Sequence, residues 1–115
     1  MSGLHAGAVV DAGALTLAHS PLPASEVVSG TPTTGTVALD ELSGVEVGIW
    51  EMTPGTASDT EADEVFVVLS GRARIDFVEP PLPSIEVAPG SLVRLVEGQR
   101  TVWTVTETLR KVYVA

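Results

Sequence analysis

Cysteine is absent from the chain, which excludes disulfides, thiolate metal sites and a cysteine nucleophile. Lysine occurs once, as Lys111, and histidine only twice, as His5 and His19. Six basic residues against fifteen acidic ones give a formal net charge of −9. The chain therefore lacks the basic footprint of a nucleic-acid binder and the polybasic patch that anionic lipid attracts. Its acidity supplies solubility and leaves room for a cationic ligand or a metal. No apolar run is long enough to cross a bilayer. The mildly apolar stretch 6–18 has no positive leader and is interrupted by Asp11, so no signal peptide is read. A soluble cytoplasmic protein is the expectation.

What remains favours β structure. The 115 residues suffice for one domain with a single core, and 44% hydrophobic content is too rich for disorder. Eight prolines and eleven glycines among many Val and Thr point to short strands joined by tight turns. Residues 1–20 are read as a leader or ragged edge strand, and 21–115 as the domain. Along 45–52, Val45, Val47 and Ile49 share one face while Glu46, Gly48 and Trp50 share the other. Pro54-Gly55 ends that strand, and an acidic loop follows to Asp63. Glu64 to Ser70 is apolar on both faces, with Phe66 and Val68 opposite Val65, Val67 and Leu69, as in a strand buried on both sides. Gly71 is read as a turn, after which Ala73, Ile75 and Phe77 face inward. Further strands are expected at 84–87, 92–96, 101–106 and 110–114, giving eight or nine in all. No long amphipathic helix is visible.

Several motifs together carry a family resemblance. They are Gly48-Ile49-Trp50-Glu51-Met52-Thr53-Pro54-Gly55, Asp63-Glu64-Val65-Phe66-Val67-Val68-Leu69-Ser70-Gly71, Ala88-Pro89-Gly90, Gly98, Trp103 and the ending Glu107-Thr108-Leu109-Arg110-Lys111-Val112-Tyr113-Val114. In order and spacing the chain resembles the cupin superfamily, and within it the single-domain cupins related to the (S)-ureidoglycine aminohydrolase cupin domain. The resemblance implies an all-β fold, a small jelly-roll barrel of two packed antiparallel sheets, and a homodimer. It also implies where a metal centre would lie. Glu64 and Gly71 keep the glutamate-to-glycine spacing of the first metal motif, but its two histidines are missing from 57–63. In the second motif Val96 replaces the proline, Gly98 is kept, and Thr101 stands at the histidine place. Transition metals in such barrels need imidazoles or several convergent carboxylates. No metal and no cofactor is therefore expected, and the family's manganese-dependent release of ammonia is not carried over.

The candidate site residues each admit two readings. Glu64, in phase with Phe66 and Val68, is a general acid or base if the barrel desolvates it, and a structural rim carboxylate otherwise. Asp59, Glu61, Asp63 and Glu64 form either a hard-cation site or, as preferred here, a solvated loop. Trp103 shares the parity of Thr101 and either lines a cavity or fills the core. The arginines are expected mostly in surface pairs with the abundant acids. The function expected is binding of a small polar molecule in a barrel mouth lined by Trp50, Glu64, Phe66, Thr101 and Trp103. The alternatives are a hydrolase or isomerase of a small nitrogenous metabolite that uses Glu64, and an interaction protein with a filled barrel. A homodimer is expected to form through Val65, Val67 and Leu69.

Overall fold

In the computed structural model, which describes residues 4–115, the chain folds as nine strands with no helix among those residues. They are β1 (Ser20–Pro21), β2 (Val27–Ser29), β3 (Thr33–Leu42), β4 (Val45–Met52), β5 (Gly55–Thr60), β6 (Glu64–Glu79), β7 (Leu82–Val87), β8 (Leu92–Leu95) and β9 (Arg100–Val114). All pairings are antiparallel. The all-β barrel expected from the sequence is what forms. Its two layers are halves of one continuous curled sheet, joined through the long strands β6 and β9.

β9 explains the curl. Along one edge it pairs with β6 for nearly its whole length. Along the other edge its first half pairs with β5 and its second half with β4. One strand thus belongs to both layers, so β6 and β9 must bend sharply where the layers meet. Gly71 sits at that bend. Its φ is +91°, and register shifts flank it between Ser70 and Ala73. A Cβ there would lie 2.6 Å from the carbonyl carbon of Thr108. Only glycine combines this backbone conformation with so close an approach.

Three expectations are corrected here. Gly71 makes a bulge inside one 16-residue strand rather than a turn between two. The parity reset is nevertheless present, because Phe66 and Val68 before the bulge and Ala73 and Ile75 after it are all buried. The segments 101–106 and 110–114 likewise form the single strand β9. Most of the stretch after Pro54, read as an acidic loop, is strand β5, because its backbone completes the ladder on β9.

The main core lies inside the curl and contains Met52, Phe66, Val68, Ile75, Leu95, Trp103 and Leu109. A second cluster forms on the outside of β3 and β4. There Leu17 of the leader packs with Leu39 and Ile49, supported by Leu4, Val10, Ala12 and Leu15. This explains why β4 is apolar on its Ile49 side as well as on its Trp50 side. Polar contacts fasten the leader at the same place. His19 Nε2 donates to Glu51 Oε1 at 2.6 Å, and Arg110 Nε donates to Glu51 Oε2 at 2.9 Å. Arg110 also donates to the Ala12 carbonyl at 3.0 Å. Burial pushes the Glu51 carboxyl upward, but the hydrogen bonds and charges of His19 and Arg110 outweigh it and hold its pKa below the ordinary value.

Candidate functional site

The inner face of the curl opens into a cavity of about 250 Å³. Strand alternation places its walls. β4 sends Trp50 and Met52 inward, β5 sends Ala57 and Asp59, and β9 sends Trp103, Lys111 and Tyr113. Glu64 enters from the start of β6, and Glu61 from the link between β5 and β6.

Lys111 is the centre of this arrangement. Its side chain is buried, and Nζ donates to Glu64 Oε2 at 2.6 Å. The same ammonium lies 4.3 Å from the ring centroid of Phe66, 4.7 Å from Trp50 and 5.0 Å from Trp103. The rings also touch one another: the Trp50 and Trp103 centroids are 5.6 Å apart, and those of Phe66 and Trp103 are 5.7 Å apart. A desolvated ammonium needs both a counter-ion and the negative faces of π systems, and here it has each. All but two of the chain's five aromatic side chains enclose the single lysine, so scarce residues are concentrated at one point.

Glu61 forms the next layer. It is only 6% exposed. Its Oε2 accepts hydrogen bonds from the Thr101 hydroxyl at 2.6 Å and the Trp103 indole N–H at 3.0 Å. These bonds fix the plane of the indole that faces the cavity. Tyr113 is held on the opposite side by donating to Glu46 at 2.5 Å. Burial first, and then that carboxylate, raise the phenol's pKa. Gly48 makes room for it, since a Cβ there would approach the phenol ring to 2.5 Å.

Asp59 stands at the cavity's rim. It is reached by solvent through the mouth, yet protein surrounds enough of it to cost hydration. That loss, together with repulsion from Glu61 and Glu26, pushes its carboxyl up to about 6, although the Thr60 amide and Lys111 pull the other way.

Of the residues expected at the site, Trp50, Glu64 and Trp103 line the cavity. Phe66 and Thr101 do not. Phe66 is buried behind Lys111, and Thr101 is buried behind Glu61, where it contributes by orienting its neighbour. The acidic stretch is not uniformly solvated: Glu61 is inside, whereas Asp63 is exposed and paired with Arg94 at 3.2 Å. Lys111 was not singled out from the sequence, and Glu61 was placed in a solvated loop rather than inside the site. The signal for Lys111 was its shared parity with Leu109 and Tyr113, which places the chain's single lysine on an otherwise apolar face at the end of the strand. Of the arginines, Arg72 and Arg74 lie in exposed ion pairs as expected, but Arg110 is buried against Glu51.

The EutQ-like cupin domain family matches residues 39–113. The chain belongs to this family. No curated protein matches the chain significantly. Among solved structures it is similar to a protein of unknown function from Pseudomonas syringae pv. tomato, with 26% identity and a TM-score of 0.74. That match covers 89% of this chain but 45% of the other, so the chain spans less than half of that protein's length. It is also similar to the EutQ protein of Clostridium difficile, with 18% identity and a TM-score of 0.69 over 92% of this chain and 83% of that one. A cupin superfamily protein from Desulfitobacterium hafniense shares 14% identity over 71% of this chain and 75% of that one, with a TM-score of 0.56. The latter two likenesses speak to fold alone.

The cupin framework raises the question of a metal, and the residues present do not fit one. Glu64, which keeps the place of the motif's glutamate, is engaged by the Lys111 ammonium. Thr101, at the histidine place, donates to Glu61. Among the described residues no three His, Asp or Glu side chains are grouped to hold an ion.

Proposed function

We propose that this EutQ-like cupin binds a small polar molecule in the barrel mouth, in a site built around an internal ammonium in place of a metal. The observation that carries this reading is the open cavity itself. It adjoins the Lys111–Glu64 pair, and its Trp103 wall is held in place by Glu61. Cavities of this kind, with aromatic walls and a few fixed polar groups, are the usual form of small-molecule sites. A filled barrel, the structural alternative, would leave no such space beside Trp103.

The test is an NMR titration of the indole N–H signals of Trp50 and Trp103 with a panel of small polar fragments. Saturable shifts confined to the cavity residues are expected. No response from either indole to any fragment would refute the reading.

A second reading is a hydrolase or isomerase of a small nitrogenous metabolite, akin to the ureidoglycine aminohydrolases, with Glu64 as acid and base. It is favoured by the contact of Glu64 with Lys111 on the cavity wall, since such a pair is able to exchange a proton with a bound substrate. Loss of turnover in Glu64→Gln, with substrate binding retained, supports this reading, and full turnover in that variant eliminates it.

The protein pairs with a second copy of itself through the outer face of β6. Val65 is 39% exposed there, directly across from the equally open Val114, and Leu92 lies opposite Val67 on β8. Light scattering is expected to give a dimer mass for the native chain and a monomer mass for Val65→Asp. A native monomer at all concentrations contradicts the pairing.

A further inference from the structure

The charges around the cavity are unequal. Four carboxylates line it, those of Glu26, Asp59, Glu61 and Glu64, against the single cation Lys111. Glu64 already neutralises Lys111 at 2.6 Å. Three acids then remain with no positive side chain in the cavity wall. Glu61 is satisfied by Thr101 and Trp103, which are neutral donors, so no cation is paired with it. Asp59 receives only its neighbour's amide, from Thr60 at 2.8 Å. Arg100 is not among the residues lining this cavity; it lines an adjoining cleft that shares Glu26, Ser58 and Asp59 with it.

A second, independent feature favours the same ligand charge. The aromatic wall already stabilises an ammonium, because Lys111 sits within 5.0 Å of all three ring centroids. The electron-rich faces that accept Lys111 discriminate against anions for the same reason. A metal ion is a poor fit, since the acids lie on separate elements and are not grouped for coordination. Spaced acceptors along a cavity suit a molecule that carries several N–H donors.

We infer that the ligand of this cavity is a small organic cation, an amine or amidine, which rests against the indole walls and donates to Asp59 at the rim. This rests on the binding reading above and specifies the class of molecule bound. An ionised Asp59 is the form that accepts the cation. Its carboxyl, raised to about 6, is mostly ionised at neutral pH and protonates on mild acidification. Cation binding therefore releases part of a proton per site near pH 6 and weakens as pH falls. The groups facing Asp59 are Glu26, Glu61 and Lys111, with Arg100 in the adjoining cleft.

The experiment follows the Trp50 and Trp103 indole N–H signals during titration with methylguanidinium chloride, sodium acetate and acetamide at matched ionic strength. Methylguanidinium is expected to shift both signals saturably, with acetate and acetamide inert over the same range. Its affinity is expected to fall about tenfold between pH 7.5 and pH 5, as the ionised fraction of a group titrating near 6 declines. Asp59→Asn is expected to cost about tenfold at pH 7.5, or ~1.4 kcal/mol, and to abolish the pH dependence. The exposed position of Asp59 keeps that variant folded, which the dispersion of its indole signals verifies. Acetate or acetamide binding as tightly as methylguanidinium overturns the cation assignment while the cavity remains a binding site. Silence from all three probes overturns the cation assignment, whereas the binding reading falls only if the wider fragment panel is silent as well. Undiminished methylguanidinium affinity in Asp59→Asn overturns the role of Asp59.

Discussion

Replacing Lys111 by Met removes the charge at the centre of the site while keeping most of the side chain's volume. The consequence follows from what Lys111 touches. Glu64 would be left as a largely buried carboxylate without its counter-ion, and breaking one side of a buried pair costs ~3–5 kcal/mol. The loss of three ring contacts adds to this, although a methionine sulfur recovers part through its own contacts with the rings. A domain of this size is stable by ~5–15 kcal/mol, so the variant folds with a much reduced margin. At ~4 °C per kcal/mol, the melting temperature should drop by about 12–20 °C. The pair is the cause, so Lys111→Met combined with Glu64→Gln should recover most of the loss, because neither partner then leaves a stranded charge. Urea denaturation followed by tryptophan fluorescence, for the native protein, both single variants and the double variant, measures the coupling. The reasoning is refuted if Lys111→Met loses less than ~1 kcal/mol, or if the double variant is as unstable as the sum of the singles.

Further outcomes follow from other parts of the molecule. Gly71→Ala should cost at least ~2 kcal/mol, since it combines a left-handed backbone with overlap against Thr108, and chemical denaturation reads it directly. Asp59→Asn should stabilise the fold at pH 8. A raised folded-state pKa means that the carboxylate's full contribution is present only below its unfolded value and is lost as pH rises through about 6. The full shift would correspond to ~3 kcal/mol, which solvent screening at an exposed side chain reduces to about 1 kcal/mol. The advantage should vanish well below the ordinary aspartate value of 3.8, where both states are protonated. Glu51→Gln should loosen the leader, because Arg110 and His19 lose their shared anion. Glu51's own pKa is depressed, so its contribution is present above the ordinary carboxylate range and is lost as pH falls through the lowered folded value. Proteolysis of residues 4–19 should accelerate in the variant at neutral pH, and in the native protein only under strong acid.

The readable parts of this molecule were those set by local alternation. The inward parity of Glu64, Phe66 and Val68, and of Thr101 with Trp103, followed from period two within single strands. The absence of imidazoles from the metal motifs was equally plain. The strand breaks were misjudged at Gly71 and at 107–109 because a glycine or a polar run looks the same in a turn and in a bulge. Only the long pairing of β6 with β9 distinguishes them. Glu61 stood in an acidic run and resembled its solvated neighbours; its burial depends on Thr101 and Trp103, some forty residues away in sequence. Lys111 was read as part of a terminal strand motif, and its role appears only when β9 lies between β4 and β6. Interactions between distant strands carry no periodic signature, and the centre of this site consists almost wholly of such interactions.

The account turns on a buried ammonium that engages Glu64, the residue at the place of the metal motif's glutamate. Elemental analysis of the purified native protein, together with Lys111→Met and Glu64→Gln, tests this most directly. Only substoichiometric traces of manganese, iron, nickel, copper and zinc are expected in the native chain. A full equivalent of one of these metals, retained through dialysis and lost in Glu64→Gln, would contradict it.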